Sequence, residues 1–238
     1  MAGASPVAGA GERCATTHGH NDKSEHKIEA QTVRESVNRD RQVIWLLCAA
    51  ALFGMLAIAV HLRPVVNGDA AFLRGLHHGM HWRLSRTMLF ANRLGNPFVV
   101  YPCAVALTIW QIAHRDWRGS AFVVLSMGGI ALANVGLRAA FHRVRPDLWP
   151  SLLPNHSYIY SFPSGHASII AGLALTLARV ILLPRSWNIV LTGIVLAVGF
   201  TTLGLGVHFL TDVVAGWALA VVWTLTSGLI VNLDSRKP

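Results

Sequence analysis

Three short stretches of this chain keep polar residues at the ends of apolar runs, where lipid contact alone would favour none. The first is LRAAFHRVRP, residues 137–146. Arg138 and Arg145 lie seven residues apart, so on a continuing helix they share one face two turns apart, and Pro146 then favours leaving the helix. Two guanidiniums aimed alike suit a phosphate, because each donates two parallel hydrogen bonds to its oxygens. Anchoring to lipid headgroups explains basic residues at span ends equally well.

The second stretch is YSFPSGHASII, residues 160–170. If a helix starts here, its tip offers unpaired backbone N–H groups and the positive end of the helix dipole, which suit an anion. Gly165 lets a phosphoryl oxygen approach the backbone, Ser164 adds a hydroxyl donor, and His166 adds a proton source. A simple N-cap accounts for Ser164 but leaves His166 without a task. The third stretch is GVHFLTD, residues 206–212. His208 and Asp212 stand four apart and can meet across one helical turn. A carboxylate facing one imidazole nitrogen fixes the tautomer and strengthens the other as a nucleophile or base. Capping by Asp212 is the alternative, yet a lone aspartate at the start of a membrane helix is costly unless paired or functional.

The elements that must position these residues are apolar. The chain has 238 residues, 53% hydrophobic and only 13% charged, too apolar for an ordinary soluble domain. Six uncharged or nearly uncharged runs read as transmembrane helices: 43–60, 97–113, 119–137, 166–183, 187–207 and 213–233. The expected fold is therefore an all-α polytopic membrane protein with both termini on one side. Between the first and second spans, Phe72, Leu76, Met80, Leu84 and Met88 recur every four residues, which predicts an amphipathic helix in the headgroup plane. In the same segment His77 and His81 are one turn apart, but no carboxylate close by completes a metal site, so an interfacial helix is the expectation. Residues 1–41 are polar and aperiodic and read as a disordered tail, leaving 42–238 as the membrane domain.

Net charge is +9, but the arginines are scattered among apolar segments and not gathered into the stripe a nucleic acid needs. Anionic headgroups or phosphorylated substrates fit better. Cys14, Cys48 and Cys103 form neither metal-ligand spacing nor a disulfide framework. Acidic residues are scarce: six of eleven fall within the first 40 residues, and Asp212 is the only one between Asp147 and Asp234.

Arg138-x6-Arg145-Pro146, then Pro163-Ser164-Gly165-His166, then His208-x3-Asp212 resemble the three ordered signature motifs of the type 2 phosphatidic acid phosphatase superfamily. That superfamily includes membrane lipid phosphatases and soluble acid phosphatases and shares its site with vanadium haloperoxidases. The resemblance covers about residues 43–233 and is most specific in PSGH. It implies that His208 attacks phosphorus to form a phosphohistidine while Asp212 orients its ring. His166 would protonate the leaving group and then activate water, and Arg138, Arg145, Ser164 and the Gly165 amide would hold the equatorial oxygens. It implies no cofactor and no metal, and a substrate such as a lipid phosphate or polyprenyl diphosphate whose tail stays in the bilayer.

Two positions depart from that pattern. Arg138 stands where the family usually has lysine, and Thr202 stands where it has an arginine that binds phosphate. Arg143 and His142 are the neighbours that could replace the lost charge. Charge at the span ends votes weakly for the three motifs lying outside the cytoplasm, as the resemblance also implies. The excess of arginine over lysine, 17 to 3, suggests a GC-rich genome and a bacterial inner membrane, where the resemblance implies a periplasmic site. A phosphotransferase using the same site and a non-catalytic lipid-phosphate-binding protein are the competing expectations. A transporter fits less well, since no span centre carries a charge.

Overall fold

The computed structural model describes residues 18–78, 82–148, 160–181 and 183–233. Its elements, in order, are α1 (His18–Ala59), α2 (Arg63–His78), α3 (Trp82–Asn92), a 3₁₀ turn (Arg93–Gly95), α4 (Pro97–Ala113), α5 (Trp117–Phe141), α6 (Gly165–Val180), α7 (Arg185–Gly204) and α8 (Leu210–Ile230). The chain divides into two compact units, residues 1–41 and 42–238. In the first unit, helix α1 is already formed at His18, so residues expected as an irregular tail are helical from that point.

Among the described residues, five helical segments are long and apolar enough to cross a membrane: Ser36–Ala59, Thr87–Ala113, Trp117–Phe141, Arg185–Gly204 and Leu210–Ile230. The sequence predicts a sixth at residues 166–183, and α6 is shorter, with 16 residues. At 1.5 Å per residue it rises about 24 Å, less than the roughly 30 Å of a bilayer core. The helix starts at Gly165, one residue ahead of the expected run, and falls short at its far end, which stops at Val180. Ser161, Phe162, Pro163 and Ser164 ahead of it are all buried, so the chain enters the protein interior before the helix begins.

Local chemistry sets the helix starts. The Asn96 side chain accepts the Phe98 N–H at 2.9 Å, and Pro97 occupies the first helical position of α4, where its missing N–H costs nothing. Asp116 caps α5 through the Gly119 N–H at 2.9 Å. At the other end of α5, His142 turns left-handed with φ 47°. The helix thus stops at Phe141, earlier than the expected exit at Pro146, and Arg145 lies beyond it.

The core is formed by apolar side chains from α4, α5, α6, α7 and α8, among them Val100, Val123, Ile130, Ile169, Val198 and Ala220. Helices close on one another where a glycine leaves room. A Cβ at Gly129 would overlap the Trp223 indole, and one at Gly216 would sit 2.7 Å from the Ser164 carbonyl oxygen. Large apolar residues also point outward, including Trp45, Ile58, Phe98, Leu132 and Ile189, as expected of helices surrounded by lipid.

The segment between the first two long helices carries α2 and α3. On α2 the buried residues are Asp69 and Leu73, while Phe72 is exposed. Met80 and His81, and with them the possible histidine pair, lie outside the described residues.

Candidate active site

The site is assembled from the start of α6, the start of α8, the α7–α8 connection and the irregular segment after α5. Ser164 caps α6 by accepting the Ala167 N–H at 3.5 Å, and its own N–H donates to the Asp212 carbonyl at 3.0 Å. That bond ties the tip of α6 to the first turn of α8. Behind the tip, the Asn134 amide donates to Ser168 Oγ at 2.7 Å, and Ser168 Oγ lies 3.0 Å from the Ser164 carbonyl. The buried approach to α6 therefore has partners for its backbone groups, as burial demands. The Ser161 N–H donates to Arg143 O at 2.7 Å and Pro163 O accepts from Arg138 Nε at 3.2 Å.

The two clamp arginines converge on this tip without sharing a helix. Arg138 sits in the last turn of α5, and its Nη2 occupies the space above Gly165, 2.6 Å from where a Cβ would be. Glycine is needed there for the guanidinium to reach the helix tip. Arg145 comes from the irregular segment and donates to the Val207 carbonyl at 3.1 Å, next to His208. Burial, and after it the charge of Arg138, lowers the Arg145 pKa to about 10, partly offset by Asp212. It remains a cation at neutral pH. Both guanidiniums act electrostatically on the rings of His166 and His208. His166, in the first turn of α6, is half-buried and rests on Gly95, where a Cβ would lie 3.3 Å from its ring.

His208 is 1% exposed, with Nδ1 3.6 Å from Asp212 Oδ2, an ion-pair distance longer than a hydrogen bond. Neither ring nitrogen has a hydrogen-bond partner among the described residues. Burial lowers the His208 pKa to about 3 against the opposing influence of Asp212, so the ring is neutral at physiological pH. Asp212 serves two ends at once. Its Oδ2 accepts the Phe209 N–H at 2.9 Å, capping α8, and its Oδ1 accepts from Arg143 at 2.5 Å. The capping and functional readings of this carboxylate are thus compatible.

The seven residues singled out from sequence, Arg138, Arg145, Ser164, Gly165, His166, His208 and Asp212, lie around the two joined helix tips. Thr202 is fully buried, its hydroxyl donating to Gly199 O at 2.7 Å. Arg143 and His142, the neighbours expected to supply charge in place of Thr202, have partners of their own. Arg143 is turned onto Asp212 and Asp69, and the His142 ring packs edge-on against Tyr160 with centroids 4.6 Å apart. Sequence reasoning missed Asp69, Thr211, Asn134 and Ser168. Scarcity was the available signal for Asp69, one of five acidic residues beyond position 40.

Comparison with known proteins adds a family and a fold. The model of the PAP2 superfamily matches residues 119–235, nearly all of α5 through α8. Phosphatidylglycerophosphatase B of Bacillus subtilis is 28% identical over 178 residues, covering 71% of this chain and 86% of that protein. Undecaprenyl-diphosphatase of Sulfolobus acidocaldarius is 30% identical over 206 residues, covering 82% and 92% respectively. The crystal structure of a transmembrane PAP2-type phosphatidylglycerolphosphate phosphatase from Bacillus subtilis superposes with a TM-score of 0.70 at 26% identity. That match covers 81% of this chain and 97% of the other.

Proposed function

Because the chain belongs to the PAP2 superfamily, we propose that it is an integral membrane phosphatase hydrolysing a lipid phosphate or polyprenyl diphosphate through a phosphohistidine. The observation that carries this reading is the buried, neutral His208, with Nδ1 facing Asp212 and its other nitrogen unpartnered among the described residues. A ring held this way presents Nε2 as a nucleophile.

In the proposed sequence, Nε2 attacks phosphorus, the bond to the leaving oxygen breaks, and His166 gives that oxygen a proton. Asp212 stabilises the positive charge that develops on the ring. Arg138, Arg145, Ser164 and the Gly165 amide hold the equatorial oxygens, where fixed donors lower the barrier by stabilising charge as it develops. Water then attacks the phosphohistidine, His166 takes its proton, and inorganic phosphate leaves with His208 regenerated. No step requires a metal. A site at helix tips lets the substrate tail remain among lipids; the arginine-rich composition supports a bacterial inner membrane, and charge at the span ends favours the periplasmic face.

One observation favours a second reading, a non-catalytic binder of lipid phosphates. Thr202 puts a neutral, internally bonded hydroxyl where the family has a cation. A single experiment separates the two. Purified protein in detergent, with chelator present, is given diacylglycerol phosphates and polyprenyl diphosphates carrying labelled phosphorus, and phosphate release and rapid-quench labelling are followed. The phosphatase reading expects turnover and a covalent label, both lost in His208→Ala. Binding without release would establish the second reading. Transfer of label to an added alcohol in preference to water would make the protein a phosphotransferase.

A further inference from the structure

Asp69 lies on α2, outside the residues matched by the family model. It is buried, and its carboxylate accepts three donors: Arg143 Nη2 at 2.8 Å, the Thr211 hydroxyl at 2.5 Å and the Thr211 N–H at 3.3 Å. Arg143 in turn donates from Nη1 to Asp212 Oδ1 and to Thr211 Oγ at 2.7 Å, and its guanidinium lies 4.4 Å over the Phe209 ring. Hydrogen bonds run from Asp69 through Arg143 to Asp212, whose other oxygen faces His208 Nδ1 at 3.6 Å.

Burying three charges is costly unless every one is paired and hydrogen-bonded, and here each is. The arrangement also has a chemical consequence. A single guanidinium against Asp212 would neutralise the carboxylate that faces His208. Two carboxylates sharing Arg143 leave a net negative charge on the cluster, so Asp212 keeps the capacity to stabilise positive charge on the imidazole. Through Thr211, Asp69 also grips the first turn of α8 beside Asp212.

We infer that Asp69 is a positioning residue of this site. It holds Arg143 and Thr211 so that Asp212 keeps both its place and its charge against His208, which makes α2 a working part of the active site. The inference rests on the reading of His208 as nucleophile.

The test measures kcat and KM for phosphate release by the full chain in detergent, alongside thermal unfolding. Asp69→Asn keeps the shape and removes the charge. It is expected to lower kcat about tenfold or more while KM stays within about twofold, since misplacement alone can cost that much. Asp69→Glu, which restores the charge, is expected to recover most of the loss. In an Arg143→Gln background, adding Asp69→Asn is expected to change kcat by less than about twofold, because residues acting as one unit are not additive. Should Asp69→Asn fail to fold, Thr211→Val cuts the hydroxyl link while keeping every charge, and a drop in kcat at constant KM is expected there too. An active wild type whose Asp69→Asn kcat is unchanged, or whose losses multiply independently with Arg143→Gln, overturns the inference alone. A wild type that releases no phosphate from either substrate overturns the functional reading and this inference with it.

Discussion

His208 Nδ1 faces Asp212 Oδ2 at 3.6 Å, both groups buried, across one turn at the start of α8. The pair is held from two sides. Asp212 is fixed by the Phe209 N–H and by Arg143, and the connection carrying His208 is fixed by Arg145 on Val207 O. The expected outcome of His208→Ala is complete loss of phosphate release with retained folding. Asp212→Asn is expected to lose about a hundredfold or more in kcat, as when an imidazole loses the carboxylate that fixes its tautomer. Phosphate release assayed beside size-exclusion profiles checks both.

Gly165 is a second point of leverage. A Cβ there would stand 2.6 Å from Arg138 Nη2, the far end of a flexible side chain that can swing away. Gly165→Ala is therefore expected to fold with a nearly unchanged Tm. Moving one guanidinium off the helix tip weakens the grip on phosphate, so KM is expected to rise by about tenfold, the worth of one charge-assisted hydrogen bond. Steady-state kinetics over a range of substrate concentrations read this directly.

Gly216 behaves differently, because the obstacle is backbone. A Cβ there would meet the Ser164 carbonyl at 2.7 Å and the Ser168 nitrogen at 3.2 Å, neither of which can rotate away. Gly216→Ala is expected to push α6 from α8 and to cost about 1–3 kcal/mol, the usual penalty of overpacking. Thermal unfolding in detergent measures it, and activity is expected to fall with it because the same two helices carry His166 and Asp212.

The burial of His208 also predicts how stability follows pH. Its pKa is lowered from 6.5 to about 3 by burial, so between those values the unfolded chain takes up a proton that the folded protein refuses. Stability then rises with pH across this window and is lost as pH falls below about 6.5. Unfolding midpoints from pH 7 down to pH 4 check the slope. His208→Asn, which cannot titrate, is expected to make it shallower.

Two of the three motifs were legible in the sequence for a physical reason: they are local. The Ser164 cap depends on one helix turn, and the four-residue spacing brings His208, just ahead of α8, to face Asp212. The seven-residue spacing of Arg138 and Arg145 gave no shared helix face, because α5 ends between them. The apolar run at residues 97–113 coincides with α4 because Asn96 and Pro97 mark its start. What stayed hidden depends on distant chain segments meeting. Nothing near Asp69 announces Arg143, 74 residues away, and an apolar stripe is silent on the face of α2 that buries Asp69. The early end of α5 at Phe141 was equally opaque, since a left-handed histidine is no ordinary stop signal.

The single bond from the Ser164 amide to the Asp212 carbonyl has a bearing on turnover. Gly216 packs against the Ser164 carbonyl, so backbone of the two helix tips meets at a second point beside that bond. A change that displaces one tip is therefore expected to carry the other with it, so damage at the Ser164 cap is felt at Asp212.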